Sequence, residues 1–163
     1  MKESSEKDYT SAMNTAIRLI SRRNHTEQEI RQKLRQRGFE AEVIARVISE
    51  CQRFNYINDK ETARKYLGEL RSKGQGIRGI RFSMKKKGIH NEIIDKVLDE
   101  NHSAAEELES AAKAFQKKFI SLSREKDIRK KREKIFRFLS LRGFSSSVIA
   151  EVMESEFSKR QNR

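Results

Sequence analysis

The residue types that perform catalysis or bind metals are few in this chain and lie far apart. His25, His90 and His102 have no cysteine or carboxylate at a spacing typical of metal ligands. Cys51, the only cysteine, lies late in an amphipathic segment and is predicted to pack in a core. No residue pattern typical of acid–base or nucleophilic catalysis occurs. We therefore expect a protein that is not an enzyme and that uses no metal or cofactor.

A glycine-rich segment, GQGIRG, begins at Gly74. It has the G-x-G-x-x-G spacing, but it resembles a phosphate-binding loop only faintly, because it lacks the G-K-[ST] ending and no strand precedes it. We interpret it as a break between two helices.

Positive charge is the chemical property that this sequence offers in quantity. Its 37 lysines and arginines exceed its 24 aspartates and glutamates, which gives a net charge of +13 and favours polyanionic partners. From Arg71 to Lys87 the chain has seven basic residues and no acid. Since such a run repels itself and adds nothing obvious to folding, we predict a binding surface. The predicted contact residues are Arg31, Arg35, Arg37, Arg71, Lys73, Arg78, Arg81, Lys85, Lys86, Lys87, Arg132 and Arg142.

Three segments of the chain align on a glycine and carry apolar residues at the same offsets. The glycines are Gly38, Gly88 and Gly143, which lie 50 and 55 residues apart. Apolar residues eight and four positions before each glycine share one face of a helix, and the glycine is typical of the left-handed residue that closes a helix. Apolar residues five, six, nine and ten positions after it predict a second helix. Each glycine therefore marks a helix–turn–helix pair.

One further helix precedes each pair, so the sequence predicts an all-α fold of nine helices in three tandem three-helix repeats. Repeats of this length favour an elongated, curved helical array. The first helix is predicted from about Thr10 to Arg23. The predicted divisions are a disordered tail over 1–9, repeats over 10–55, 56–102 and 103–157, and a second tail over 158–163.

Several locations are excluded by the sequence pattern. No apolar run approaches the 18 residues that suggest a membrane span, and MKESSEKDY lacks the apolar segment of a signal peptide. A single cysteine cannot form an internal disulfide, which suits a reducing compartment. We expect a cytoplasmic protein that does not bind membranes.

Three blocks of this sequence resemble the RecX family, bacterial regulators of the RecA recombinase. The blocks run from Ala16 to Phe39, from Tyr56 to Ile89 and from Lys134 to Phe144. The middle block is the most specific, with Y-I-N-D at Tyr56 and a K-G-x-G segment. The resemblance implies a monomer, not an enzyme, that lodges in the helical groove of the RecA filament on single-stranded DNA. It also implies inhibition of RecA ATPase, strand exchange and coprotease activity, with single-stranded and also double-stranded DNA as candidate partners.

A second interpretation stays open on the residues alone. The chain could be a basic helical protein that binds DNA without sequence preference. A sequence-specific repressor is less favoured, because the helices after the glycines carry few of the Arg, Asn and Gln side chains that read base edges. The sequence leaves open which basic residues contact RecA and which contact DNA. It also leaves open whether this member can assist its RecA.

Overall fold

The computed structural model describes the backbone of residues 2–161 and the side chains of residues 6–160. This part of the chain forms nine α-helices and no strand, so the all-α, nine-helix prediction is confirmed. The helices are α1 (Lys2–Ile20), α2 (Glu27–Arg35), α3 (Ala41–Arg53), α4 (Asp59–Ser72), α5 (Ile77–Lys86), α6 (Asn91–Asn101), α7 (Ala104–Ser121), α8 (Ile128–Leu141) and α9 (Ser146–Gln161).

The first helix corrects the predicted N-terminal boundary. It begins at Lys2 rather than near Thr10, so residues 2–9 are helical and not a tail. The physical reason is packing, because Tyr9 contacts the neighbouring core and the Arg46 guanidinium lies 3.9 Å from its ring centroid. Glu6 also pairs with Arg46 at 3.3 Å.

The chain ends need two further corrections. Helix α1 stops at Ile20, before the expected Arg23. Helix α9 continues to Gln161, so residues 158–161 are helical rather than a tail. The remaining residues of the predicted tails, Met1, Asn162 and Arg163, lie outside the described residues.

Local side-chain bonds explain where helices begin. Thr26 and Glu29 form a capping box, in which the Glu29 N–H donates to Thr26 Oγ1 and the Thr26 N–H donates to the Glu29 carboxylate. Ser103 forms the same motif with Glu106 at the start of α7. Asp127 accepts two backbone N–H bonds at the start of α8. These caps satisfy amide groups that have no partner within the helix.

The helix ends at the three aligned glycines confirm the predicted left-handed residues. Gly38, Gly88 and Gly143 have φ of +83°, +84° and +81°. In the first of them, the Gly38 N–H donates to the Arg35 carbonyl and the Phe39 N–H donates to the Leu34 carbonyl. This is the Schellman arrangement, which satisfies the last carbonyls of a helix.

Backbone proximity divides the chain into two compact units. Unit 1 comprises Met1–Lys65 and Met84–Lys96, and unit 2 comprises Tyr66–Ser83 and Val97–Arg163. In unit 1, helices α1, α2 and α3 enclose a core in which Ile30, Leu34 and Val47 are fully buried. Cys51 is buried in the same core, as predicted.

The core of unit 2 lies between α7, α8 and α9. Phe115 packs edge-on against Phe157, with ring centroids 5.3 Å apart. Ile135 and Leu139 of α8 are fully buried beside them. Ile149 of α9 is 1% exposed, as the aligned apolar pattern predicts. Phe144 of the loop after α8 is buried in the same core, so this packing positions the carboxyl end of α8 and that loop.

Candidate polyanion-binding residues

The glycine-rich segment before α5 makes close backbone contacts within unit 2. The Gly76 N–H donates to the Arg142 carbonyl at 2.9 Å, and the Arg78 N–H donates to the Gly143 carbonyl at 3.0 Å. A Cβ built on Gly79 would lie only 2.6 Å from the Arg142 carbonyl oxygen. The glycines therefore permit the amino end of α5 to meet the carboxyl end of α8.

These bonds also show whether the amide groups of the glycine-rich segment are available to a ligand. Between the two amides, the Ile77 N–H donates to Glu107 Oε1 at 3.2 Å. Three successive N–H groups at the start of α5 thus have acceptors from the protein itself. A phosphate-binding loop needs such groups to face a ligand, so the interpretation as a helix break is confirmed.

Unit 1 contains an equivalent contact, in which a side-chain hydroxyl takes the place of the Gly76 backbone N–H as the donor. The Thr26 hydroxyl donates to the Lys87 carbonyl at 2.8 Å, and a Cβ on Gly88 would lie 2.5 Å from the Gln28 Cβ. Thr26 and Gly76 both stand twelve residues before an aligned glycine, and Lys87 and Arg142 both stand one residue before the next. We call these two contacts the repeat junctions. Each joins the start of one middle helix to the end of the following one.

The basic side chains at the repeat junctions are engaged within the protein. Lys87 Nζ lies 3.3 Å from Glu29 Oε1. The Arg142 guanidinium donates to the Lys73 carbonyl and lies 4.9 Å from the centroid of the Phe138 ring. Both residues were predicted as contact residues, and the structure gives each a structural partner as well.

Two more predicted contact residues are held by carboxylates. Arg71 pairs with Glu106 at 3.3 Å and donates to the Asn101 carbonyl. A backbone N–H bond from Ser103, and then the charge of Arg71, lower the pKa of Glu106. Arg31 Nε lies 2.6 Å from Glu27 Oε1. A run without acids in the sequence is thus partly neutralised in space by distant carboxylates.

Five predicted contact residues are exposed and have no ion-pair partner among the described residues. We call them the free cations. Three belong to unit 1 and two to unit 2. They are Arg35, Lys85 and Lys86 in unit 1, and Lys73 and Arg78 in unit 2.

The other three predicted contact residues are half-buried or make one contact within the protein. Arg37 is exposed and donates to the Lys33 carbonyl at 3.1 Å. Arg132 is exposed, and its guanidinium lies 4.5 Å from the Phe157 ring centroid. Arg81 is half-buried. Each can still present charge to solvent at its outer edge.

A cleft of about 720 Å³ lies in unit 2 near the carboxyl end of α4. Its lining carries both signs of charge, including Lys113, Lys117 and Glu107. Glu107 also lies 3.4 Å from His102 Nε2. Across the described residues, no group of His, Cys, Asp and Glu side chains is arranged to hold a metal ion.

Two exposed apolar residues of unit 2 were not predicted from the sequence, although comparing the three repeats position by position indicates them. Phe82 is 69% exposed and Leu141 is 82% exposed. Each stands at an offset from its glycine where the other two repeats carry polar residues. The polar counterparts are Gln32 and Arg137 for Phe82, and Gln36 and Lys86 for Leu141.

The fold and these residues define an all-α protein of three-helix units whose main chemical resource is exposed positive charge. Its sequence matches the first three-helix domain of RecX over residues 12–51 and the third three-helix domain of RecX over residues 105–153. The protein belongs to the RecX family.

Relatives and solved structures agree with this assignment. A regulatory protein RecX from Clostridium acetobutylicum is 36% identical, over 94% of this chain and 72% of the relative. Its counterpart from Haemophilus influenzae strain PittEE is 33% identical, over 87% of this chain and 92% of the relative. The crystal structure of RecX from Lactobacillus salivarius has the same fold, with a TM-score of 0.81 at 24% identity, covering 92% of this chain and 97% of the other. The relatives carry the name of regulatory proteins, not of enzymes.

Within the described range, no helix is both long enough and apolar enough to cross a lipid bilayer.

Proposed function

We propose that this protein binds the RecA filament on single-stranded DNA, in its helical groove, and inhibits RecA ATPase, strand exchange and coprotease activity. The observation that carries the proposal is membership in the RecX family, whose matched relatives are named regulatory proteins. The exposed charge of the molecule gives the proposal a physical basis.

The free cations supply that basis. A filament on single-stranded DNA presents phosphates, and cations that lack an internal partner can neutralise them and release bound counterions. Cations already paired with carboxylates, such as Arg31 and Arg71, contribute less to such binding. We therefore assign the principal contacts to the free cations and secondary contacts to the other predicted residues.

Binding to DNA alone, without sequence preference, is the competing function. The same free cations favour it, because phosphate contacts do not distinguish a filament from naked DNA. The two functions differ in stoichiometry. A protein that competes for DNA must coat it, whereas a protein that acts on filament growth can act at few sites.

The test measures the rate of ATP hydrolysis by RecA on circular single-stranded DNA as increasing amounts of this protein are added. We expect half-maximal inhibition well below one copy per RecA protomer. Supplying excess single-stranded DNA should relieve little of that inhibition. Inhibition only near saturation of the DNA, and full relief by excess DNA, would contradict filament binding and favour DNA coating.

A further inference from the structure

Unit 2 has a surface groove of about 690 Å³ that is lined by apolar side chains, by the polar Gln75 and Ser83, and by two cations. Phe82 of α5 and Leu141 of α8 line it, together with the half-buried Phe138. Leu141 is the most exposed large apolar residue among those described, and Phe82 is as exposed as Ile120 at 69%. We call this feature the Phe82–Leu141 groove.

Folding does not require apolar residues at these two positions. The matching residues in the other repeats are polar, and those repeats close the same helix pairs with the same left-handed glycines. Exposed apolar side chains that add nothing to a core indicate an interaction site when they line one groove.

The charge of the groove is one-sided. Lys73 and Arg142 line it, and no carboxylate does within the described part of the chain. The larger cleft of unit 2 differs, because Glu106, Glu107 and Glu109 line that cleft. Exposed apolar side chains beside cations, with no carboxylate among the described lining residues, complement a partner that combines apolar side chains with carboxylates.

We propose that the Phe82–Leu141 groove binds an acidic protein segment that inserts an apolar side chain, and that this segment lies on the recombinase protomers rather than on DNA. This inference rests on the proposed function and names which component of the filament the groove contacts. Phe82 and Leu141 supply the apolar contact, and Lys73, the exposed free cation that lines the groove, faces a carboxylate of the partner rather than a phosphate.

The side-chain types favour protein over nucleic acid as the occupant. Bases bind by stacking on flat aromatic faces, and the most exposed residue here is the aliphatic Leu141. The Phe138 ring already has the Arg142 guanidinium at 4.9 Å and Lys118 Nζ at 5.4 Å from its centroid. Only Phe82 offers an exposed ring, which is less than a stacking platform needs. Aromatic and aliphatic anchors beside arginine are typical of protein interfaces instead.

The test compares two double variants of the full chain. Phe82→Ser with Leu141→Ser removes the two exposed apolar side chains of the groove, and Ile120→Ser with Ile128→Ser removes apolar surface of comparable exposure from the same unit. Each variant is titrated against RecA ATPase on single-stranded DNA, and separately against fluorescent oligo(dT). Circular dichroism checks that both variants keep the wild-type helix content, as expected for such exposed positions.

We expect the groove variant to need at least ten-fold more protein for half-maximal ATPase inhibition, with oligo(dT) affinity within two-fold of wild type. The Ile120–Ile128 variant should match wild type in both assays. A groove variant that inhibits like wild type overturns the inference and leaves the proposed function intact. A ten-fold loss of oligo(dT) affinity also overturns it, because the groove would then bind bases. Failure of the wild-type protein itself to inhibit would overturn the proposed function and this inference with it.

Discussion

The Glu29 carboxylate accepts hydrogen bonds from three groups at the start of α2. Arg23 lies 3.1 Å from its carboxylate, the Thr26 N–H lies 2.9 Å away, and Lys87 Nζ lies 3.3 Å away. Burial of the carboxyl opposes ionisation, but these bonds and charges outweigh it, so the pKa of Glu29 is lowered in the folded protein. A lowered pKa means that the ionised carboxylate stabilises the fold above its ordinary pKa of about 4.3, and that this stability is lost as pH falls through the folded-state pKa.

Replacing Glu29 by Gln should therefore destabilise the protein most at neutral pH. We expect a loss of about 1–2 kcal/mol in the free energy of unfolding at pH 7, since bonds to a charged group are weakened. The difference from wild type should shrink as the pH falls below the ordinary pKa of about 4.3 and through the lowered pKa of Glu29 in the folded protein, because the wild-type carboxylate is then protonated. Urea unfolding at pH 7 and in acid measures this. Glu109→Gln, on an exposed carboxylate, is the control and should change stability by less than about 0.5 kcal/mol. An equal Glu29→Gln effect at pH 7 and in acid would contradict the account.

Two glycines of the same conformation differ in their surroundings. Gly38 and Gly143 have φ of +83° and +81°. A Cβ on Gly38 would meet nothing within 4 Å, whereas a Cβ on Gly143 would collide with the backbone of Gly79. The first glycine is thus required by its turn alone, and the second by its turn and by the repeat junction.

Alanine at these two positions should separate the two requirements. Gly38→Ala should cost about 1–2 kcal/mol, the strain of a left-handed residue. Gly143→Ala should cost at least about 2 kcal/mol more, because the backbone at Gly79 must move. Urea denaturation of both variants is the measurement. Equal losses would show that the junction in unit 2 is looser than described.

At the scale of the helices, the repeat junction is the contact that occurs in both units. In each junction, a carbonyl one residue before a glycine accepts a bond from the start of an earlier middle helix. Unit 2 uses the Gly76 amide for this bond, and unit 1 uses the Thr26 hydroxyl. Thr26 therefore caps its own helix and holds the junction at once.

That double role predicts unequal capping energies. Thr26→Ala removes the cap of α2 and the bond to the Lys87 carbonyl, so it should cost about 2–3 kcal/mol. Ser103→Ala removes a capping box from α7 without such a junction bond, and should cost about 1 kcal/mol. Thermal or urea unfolding compares the two. If Ser103→Ala cost as much as Thr26→Ala, the junction bond would contribute nothing.

The helix pairs could be predicted because their cause is local. A glycine and apolar residues at fixed offsets from it determine a turn between two helices, as at Gly38, Gly88 and Gly143. The partners of Arg71 and Lys87 could not be predicted, because Glu106 and Glu29 lie 35 and 58 residues away in sequence. The start of α1 also depended on a distant contact, that of Tyr9 with Arg46.

At the scale of the whole molecule, the 37 lysines and arginines overstate the number of cations that a partner meets. Several cations are held by carboxylates, and the free cations remain for binding. Lys85 and Lys86 are adjacent free cations, both in unit 1, and neither belongs to the repeat junctions. Lys87 differs from them because it pairs with Glu29, so its replacement would disturb the fold. Replacing the free cations Lys85 and Lys86 therefore tests binding without disturbing the stability of the fold.

The most direct test of the central claim is the inhibition of RecA ATPase by Lys85→Glu/Lys86→Glu, measured across a range of salt concentrations. Lys65→Glu/Lys96→Glu is the matched control, because it makes the same charge change at exposed lysines of the same unit. We expect the first variant to lose at least ten-fold in apparent affinity for the filament and to show a shallower salt dependence, by about one to two in the log–log slope. The control should inhibit like wild type. Equal losses in both variants, or no loss in either, would contradict the assignment of binding to the free cations.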